Sequence, residues 1–500
     1  MGAAATGHET EDVIERLRRR VAPLADLRGL LDLLQFDQET VMPPQGAAAR
    51  GEVEATVQAL LHEAMTSPEL GDLLDEAEAA GVAGENAALV RVTRREARRA
   101  SRVPAELVKD MTLAAAAGQE AWVRARQDGD FVRFRPFLER NVELRRAYAA
   151  CFEVAEPYDA LLDDFEPGMI TADVRAVFGP LRDELPGLVA EAATHSASPL
   201  RGVFPIAAQR RAVDVVLLRI GFTDEAWLLA DSAHPFSATP GHGDYRITTR
   251  YAEDSLESIG CALHEFGHGL YEAQIDPRFA RSLLGRGASM AIHESQSRLW
   301  EIFVGMNVGF WRGAWPDLCT ALGGAPNGLE PDGFVAALAS VAPTPIRVES
   351  DPVSYPLHIV LRFDLELALL SGDLAVSDLP AAWNDAMRDL LGIEVPDDRR
   401  GVLQDVHWST GALGYFPTYA LGTLLAAQIW GSARAALGDL DAQLEAGDLA
   451  PLRDWLREHV HRHGKRLEPR ELIHSATGRE LDPEPYLAYA RARAAGALPQ

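Results

Sequence analysis

The stretch DSLESIGCALHEFGHGLY, residues 254–271, says more about this chain than any other. Leu256, Ile259, Leu263, Leu270 and Tyr271 recur every three or four positions, the spacing of one helical face. Asp254 and Glu257 stand three apart just ahead of that face, in the pattern of a capping box, so the helix is expected to start there. On such a helix His264 and His268 lie one turn apart on the same side and can share a metal ion. Gly267, inside the helix, costs ~1 kcal/mol relative to alanine. That cost implies a close approach there, by another backbone or by a bound molecule.

The helical period continues outward. Apolar residues recur in this way over Glu11–Leu34, Val53–Met65, Glu85–Ala100, Pro104–Arg126 and Phe131–Glu156, which predicts a mainly α protein. Pro104 stands where a helix can begin. Residues 222–251 depart from the pattern, with prolines, glycines and short apolar runs. Within them Asp244–Tyr251 alternates bulky and polar residues and includes β-branched ones, the mark of a strand. A small sheet beside a cleft is expected, with helices resuming from Asp254. Residues 1–200 read as a helical N-terminal lobe and 201–500 as the lobe that carries the chemistry, together one continuous body.

Composition removes whole classes of function. The 500 residues are 47% hydrophobic, enough for a large core, and carry a net charge of −26 with a pI near 4.9. A nucleic-acid surface needs a basic stripe, and an anionic membrane would repel this chain. Three widely spaced cysteines, Cys151, Cys261 and Cys319, make no disulfide framework and read as buried, reduced thiols. The first twenty residues lack a signal-peptide core, and no apolar run is long enough to span a membrane. Gly2 and Thr6 fit the loose myristoylation pattern, but in an alanine-rich segment that carries little weight. The expected location is the cytoplasm, with no membrane or nucleic-acid partner.

The chemistry lies in His264-Glu265-Phe266-Gly267-His268. Two histidines at i and i+4 with a glutamate beside the first form a metallopeptidase motif, expected by chance roughly 0.03 times in a chain of this composition. An open zinc site needs a third protein ligand. The helical stretch Ile292–Glu301 offers Glu294, His293 and Glu301, and spacing leaves all three open.

Further short segments follow in a recognisable order: His234-Pro235-Phe236, Asp244-Tyr245-Arg246-Ile247-Thr248, the histidine motif itself, and His293-Glu294-Ser295-Gln296. After them come Ile346-Arg347-Val348-Glu349-Ser350-Asp351, Gln404-Asp405-Val406-His407-Trp408 and Gly414 to Gly422. Near the N-terminus stand Asp37 and Met42-Pro43-Pro44. Over roughly residues 30–490 the chain resembles the carboxypeptidase Taq family of zinc metallocarboxypeptidases. It departs from the family pattern at Ser350, where alanine is usual, and at Phe36, where tryptophan is usual. The resemblance implies Glu294 as the third ligand and one zinc ion per chain, replaceable by another divalent metal such as cobalt. It also implies a two-lobed helical fold with a deep groove, a homodimer, and stepwise release of C-terminal amino acids.

In that framework Glu265 takes the proton of the attacking water and returns it to the departing amine. Tyr415, Tyr419 and His407 are candidates to stabilise the oxyanion. A free C-terminus calls for a guanidinium fork, and Arg347 and Arg246 are the candidates, each with an acid close in sequence, Asp351 and Asp244, with which it could simply pair. His234 is a candidate substrate contact. A zinc oligopeptidase or dipeptidyl carboxypeptidase would use the same chemistry with a different closure of the groove. A zinc-stabilised helical interaction protein would have no need of Glu265.

Overall fold

The N-terminal periodicity becomes helices Gly7–Thr40, Ala47–Met65, Gly84–Arg102, Ala105–Asp128 and Phe131–Ala149 in the computed structural model, which describes residues 7–223 and 225–499. Gly2 and Thr6 lie outside the described residues. The helix from Phe131 stops at Ala149 and not at Glu156. There the chain tightens, with the amides of Cys151 and Phe152 bonded to the carbonyls of Tyr148 and Ala149, and Pro157 opens a new helix, Pro157–Leu162. Gly84–Arg102 carries Glu85 at its start and Arg99 and Arg102 at its end, the polarity that a helix dipole favours.

The strand predicted after residue 243 is present and central. β1 (Trp227–Asp231), β2 (Ser237–Gly241) and β3 (Asp244–Thr249) form a three-stranded sheet in the order β1-β3-β2. β1 runs parallel to β3, and β2 runs antiparallel to it. Tyr245 and Ile247 face the interior, as alternation requires. Trp227 stacks on Phe266 at 5.3 Å, which fixes the sheet against the helix that bears both motif histidines, Glu257–Ala273.

That helix does not start with the expected capping box. Glu257 is its first residue, Asp254 sits in a preceding turn, and no side chain caps Leu256 at the N-cap. Tertiary bonds hold the first turn instead: Ser258 Oγ donates to Gln209 Oε1 at 2.8 Å, and Thr249 Oγ1 donates to the Ser258 carbonyl at 2.8 Å. One hydrophobic core extends from Val13 in the first helix to Ala494 in Glu484–Ala494, with Trp300, Trp311 and Trp383 fully buried. The three cysteines are unpaired and only half-buried, less enclosed than expected. No described helix is long and apolar enough to cross a membrane.

Glu96 joins three parts of this body. From Gly84–Arg102 it meets Arg28 of the first helix, and Lys465 Nζ lies 3.3 Å from it. Burial works to raise its pKa, but the two cations outweigh burial and bring it down to about 2. A depressed carboxylate stabilises the fold above its unfolded pKa and loses that contribution as pH falls through the folded value. Equilibrium unfolding of wild type and Glu96→Gln should therefore show a constant stability gap above pH 5. The gap should shrink by up to about 3 kcal/mol between pH 5 and pH 2. A gap that does not change with pH would show that the ion triad is not formed in solution.

Candidate metal centre

Two glycines decide where Glu294 goes. Its helix, Met290–Arg298, begins at Ser289, whose hydroxyl accepts from the Ile292 amide, and the Glu166 carboxylate accepts from the Ala291 amide at 2.5 Å. The helix crosses Glu257–Ala273 at Gly267, where a Cβ would stand 2.4 Å from the Gln296 carbonyl oxygen. The neighbour implied by Gly267 is thus a backbone. On the other side, helix Pro417–Leu437 crosses at Gly422, where a Cβ would stand 2.5 Å from both Cβ and Cγ of Glu294. Any larger residue at either position would drive the helices apart.

The outcome is a cluster of three potential ligand atoms, one each from His264, His268 and Glu294, all within 4.8 Å of one another. Glu294 Oε2 lies 3.7 Å from His264 Nε2 and 3.5 Å from His268 Nε2. The two other residues left open by spacing stand behind the histidines. Glu301 Oε2 is 2.8 Å from His264 Nδ1, and His293 Nδ1 is 2.6 Å from His268 Nδ1. His293 Nε2 in turn meets Glu272 Oε1 at 3.1 Å.

These contacts assign protons. Glu272 accepts from His293 Nε2–H, so His293 Nδ1 is bare and accepts from His268 Nδ1–H. Glu301 accepts from His264 Nδ1–H in the same way. When neutral, both histidines therefore turn bare Nε2 lone pairs toward Glu294, the form in which imidazole binds a metal. Arg298, one turn beyond Glu294, donates to Glu294 Oε1 at 2.8 Å and to Glu301 Oε2 at 3.0 Å. A π-helical turn, Leu299–Val304, carries Glu301 into this position.

Charge supports a cation at the cluster. Glu265 and Glu294 are buried and Glu301 is half-buried, and with both histidines neutral, as metal ligands must be, these three carboxylates face one guanidinium, Arg298. Burial raises Glu265 to about 7 and is opposed by His264, while Glu294 and Glu301 push it further up. His264 is drawn up to about 9 by Glu294, Glu301 and Glu265 against the opposing effect of burial, whereas burial takes His268 down to about 4. Glu265 Oε2 is buried with no hydrogen-bond partner. Two imidazoles and one carboxylate, with an unpartnered carboxylate oxygen alongside, fit a catalytic divalent metal.

A cavity of about 320 Å³ opens on the cluster, with Tyr415, Tyr419 and Phe236 among its walls. Tyr419 Oη meets His407 Nε2 at 3.1 Å, and burial lowers His407 to about 4. His234 is exposed on the β1–β2 connection, and its followers Pro235 and Phe236 reach the cavity in its place. Arg246 pairs through both Nε and Nη2 with Asp244, each at 2.8 Å, and lies over Phe36. Arg347 is buried and does not pair with Asp351. Its Nε and Nη2 meet Asp405 Oδ1 at 3.0 and 2.8 Å, and its Nη1 donates to Tyr355 at 3.1 Å. Asp351 instead accepts from the Val353 and Ser354 amides. Sequence reasoning missed Arg298, Glu272 and Tyr355. The i+4 steps from Glu294 to Arg298 and from His268 to Glu272 were the available signals.

His264→Ala, His268→Ala and Glu294→Ala should each abolish stoichiometric metal, measured by elemental analysis of purified protein. His293→Ala should keep the metal but bind it roughly 10–100-fold more weakly in a chelator competition, since it removes only the partner behind a ligand. Metal lost from His293→Ala and retained by Glu294→Ala would move the third ligand to His293.

Comparison with known proteins identifies the family. The carboxypeptidase Taq (M32) metallopeptidase family matches residues 16–494. Thermostable carboxypeptidase 1 of Thermus thermophilus is 37% identical over 494 residues, covering 94% of this chain and 96% of its own. Carboxypeptidase 1 of Bacillus subtilis is 35% identical over 458 residues, covering 90% and 91%. The crystal structure of an M32 carboxypeptidase from Deinococcus radiodurans superimposes with a TM-score of 0.94 at 35% identity, over 97% of this chain and 99% of that one. With the family model, the curated relatives and the solved structure all matching over nearly the full length, the chain belongs to the carboxypeptidase Taq (M32) family and is a metallocarboxypeptidase.

Proposed function

We propose that the metal is zinc, held by His264, His268 and Glu294, and that Glu265 is the general base that lets the enzyme release C-terminal amino acids from peptides one at a time. The observation that carries this reading is the unpartnered Glu265 oxygen beside three converging donor groups. A bound zinc ion would supply Lewis-acid polarisation of the scissile carbonyl and of the attacking water. Glu265, on the same helix as the two histidines, takes the water's proton and delivers it to the leaving amine. Burial raises the phenols of Tyr415 and Tyr419, so both remain protonated donors for a developing oxyanion, and His407 orients Tyr419.

The same reading assigns the free carboxylate to Arg347. Asp405 holds two guanidiniums, Arg347 on Oδ1 and Arg362 on Oδ2 at 2.5–2.7 Å, so this buried trio keeps one positive charge in surplus. Arg347 also lies over the ring of Tyr419, which lines the cavity. A substrate carboxylate arriving beyond that tyrosine would offset the surplus. Arg246 is neutralised one-to-one by Asp244. It and His234, next to cavity residues Pro235 and Phe236, are assigned to the peptide chain and not to its terminus. A cytoplasmic homodimer completes the reading, on the strength of the family resemblance and the unpaired cysteines.

Glu265→Gln should keep zinc and peptide affinity while kcat falls by ~10³-fold or more, as expected for loss of the base from the transition state. Near-normal turnover would show that another group activates the water.

Arg347→Ala should lower kcat/KM for free-acid peptides by ~2–4 kcal/mol and raise KM, yet hardly change the slow cleavage of amidated peptides. Equal losses on acid and amide would make Arg347 structural and Arg246 the reader of the terminus. Wild-type enzyme that cleaved amides as well as acids, or released dipeptides or internal fragments in a mass-spectrometric time course, would favour the oligopeptidase or dipeptidyl carboxypeptidase reading.

A further inference from the structure

Glu366 is fully buried on helix Tyr355–Ser371. Its three hydrogen-bond donors come from three different places. Tyr158 Oη donates to Oε2 at 2.7 Å, the Gly414 amide to the same oxygen at 3.0 Å, and Trp408 Nε1 to Oε1 at 2.7 Å. Two of these donors flank the active-site tyrosine face: Trp408 follows His407 in the chain, and Gly414 precedes Tyr415. We propose that Glu366 is a positioning residue for Tyr415, anchoring the loop that presents it to the cavity. The inference rests on the catalytic reading of Tyr415 given above.

The chemistry of the site favours a carboxylate over any other side chain. All three partners are donors, and only a carboxylate has two acceptor oxygens and no hydrogen of its own. A glutamine of equal size would turn an N–H toward at least one N–H or O–H. Burial raises Glu366 to about 7 even against the opposing pull of the Gly414 amide, Trp408, Tyr158 and Arg362, so keeping a charge here costs stability. A leucine would avoid that cost but leave the Tyr158, Gly414 and Trp408 donors without an acceptor.

The loop is pinned where Glu366 holds it. Gly414 has φ +90°, and a Cβ on it would stand 2.8 Å from Leu161, so its amide has little freedom. His407 then packs 5.5 Å from Tyr415 and 4.5 Å from Phe416, ring to ring. The turn His407–Thr410 has a second, independent anchor, since Asn141 Nδ2 donates to the Trp408 and Ser409 carbonyls at 3.0 and 2.8 Å. Losing Glu366 should therefore loosen the Gly414–Tyr415 end of the loop and leave the rest of it seated.

The test is a double-mutant cycle on the zinc-loaded enzyme, with Glu366→Gln and Tyr415→Phe singly and together, reading kcat and KM on one free-acid peptide and zinc content in parallel. Glu366→Gln should lower kcat by about 10–100-fold, the scale of an ångström-level misplacement, with zinc unchanged and KM within about 3-fold. In the Tyr415→Phe background the same substitution should cost less than about 3-fold, because the group it positions is already gone. A full-size loss in that background, or unchanged kcat in Glu366→Gln alone, would overturn the proposal. Full kcat in Tyr415→Phe alone would overturn the catalytic reading of Tyr415, and with it the route assigned to Glu366. Should Glu366→Gln not fold, Trp408→Phe removes a single donor to the same carboxylate. It should show the same coupling at about 3–10-fold, and additivity there would overturn the proposal equally.

Discussion

The active site depends on one steric constraint: three helices must meet with almost no side chain between them. At Gly267 the motif helix touches the backbone of the Glu294 helix, and at Gly422 a third helix presses on the Glu294 side chain itself. Contact this close holds Glu294 Oε2 within 3.7 Å of both Nε2 atoms. Close packing of this kind is stiff, so the donor set is arranged before any cation arrives. The ~1 kcal/mol that Gly267 costs the isolated helix is the local expense of that arrangement.

The charges form two opposed poles. At the histidine cluster, with the imidazoles neutral, Glu265, Glu294 and Glu301 outnumber Arg298. At the Asp405 trio, Arg347 and Arg362 outnumber their one carboxylate. Each surplus would be unfavourable in a closed interior, because buried charge is tolerated only when compensated. Tyr415, Tyr419 and Tyr355 lie between the poles, with Arg347 over Tyr419 and Arg298 over Tyr355. Such a site is completed by a cation at one end and an anion at the other, the parts that the proposed function gives to a divalent metal and a peptide terminus.

The order of dependence runs outward from those poles. Behind the histidines, Glu301 and the His293–Glu272 pair fix the tautomers. Behind the tyrosines, Asp405 and Glu366 hold the loops from Gln404 to Tyr415. Both supporting sets are ionic groups placed in the interior, where a low dielectric makes each bond stronger and each broken bond more costly. The small sheet contributes through Trp227, which seats the motif helix against β3.

The sequence by itself determined what is local. Helical period predicted a mainly α chain, alternation found β3, and i,i+4 spacing placed His264 and His268 on one face, because both periods are properties of a single element. Ordered short segments, read through family resemblance, supplied Glu294, Tyr415 and Arg347 as candidates. The helix start at Glu257 and the helix end at Ala149 were misjudged, since contacts from Gln209, Thr249 and a tight turn overrode the local signals. Which of Glu294, His293 and Glu301 faces the two imidazoles was decided only by the tertiary crossing at Gly267 and Gly422. The partner of Arg347 was likewise decided only by folding, because Asp405, 58 residues away in the chain, lies closer in space than Asp351. Spacing along a chain sets which residues can share a face, but charges and ligands pair through space, and that distance exists only once the helices have packed.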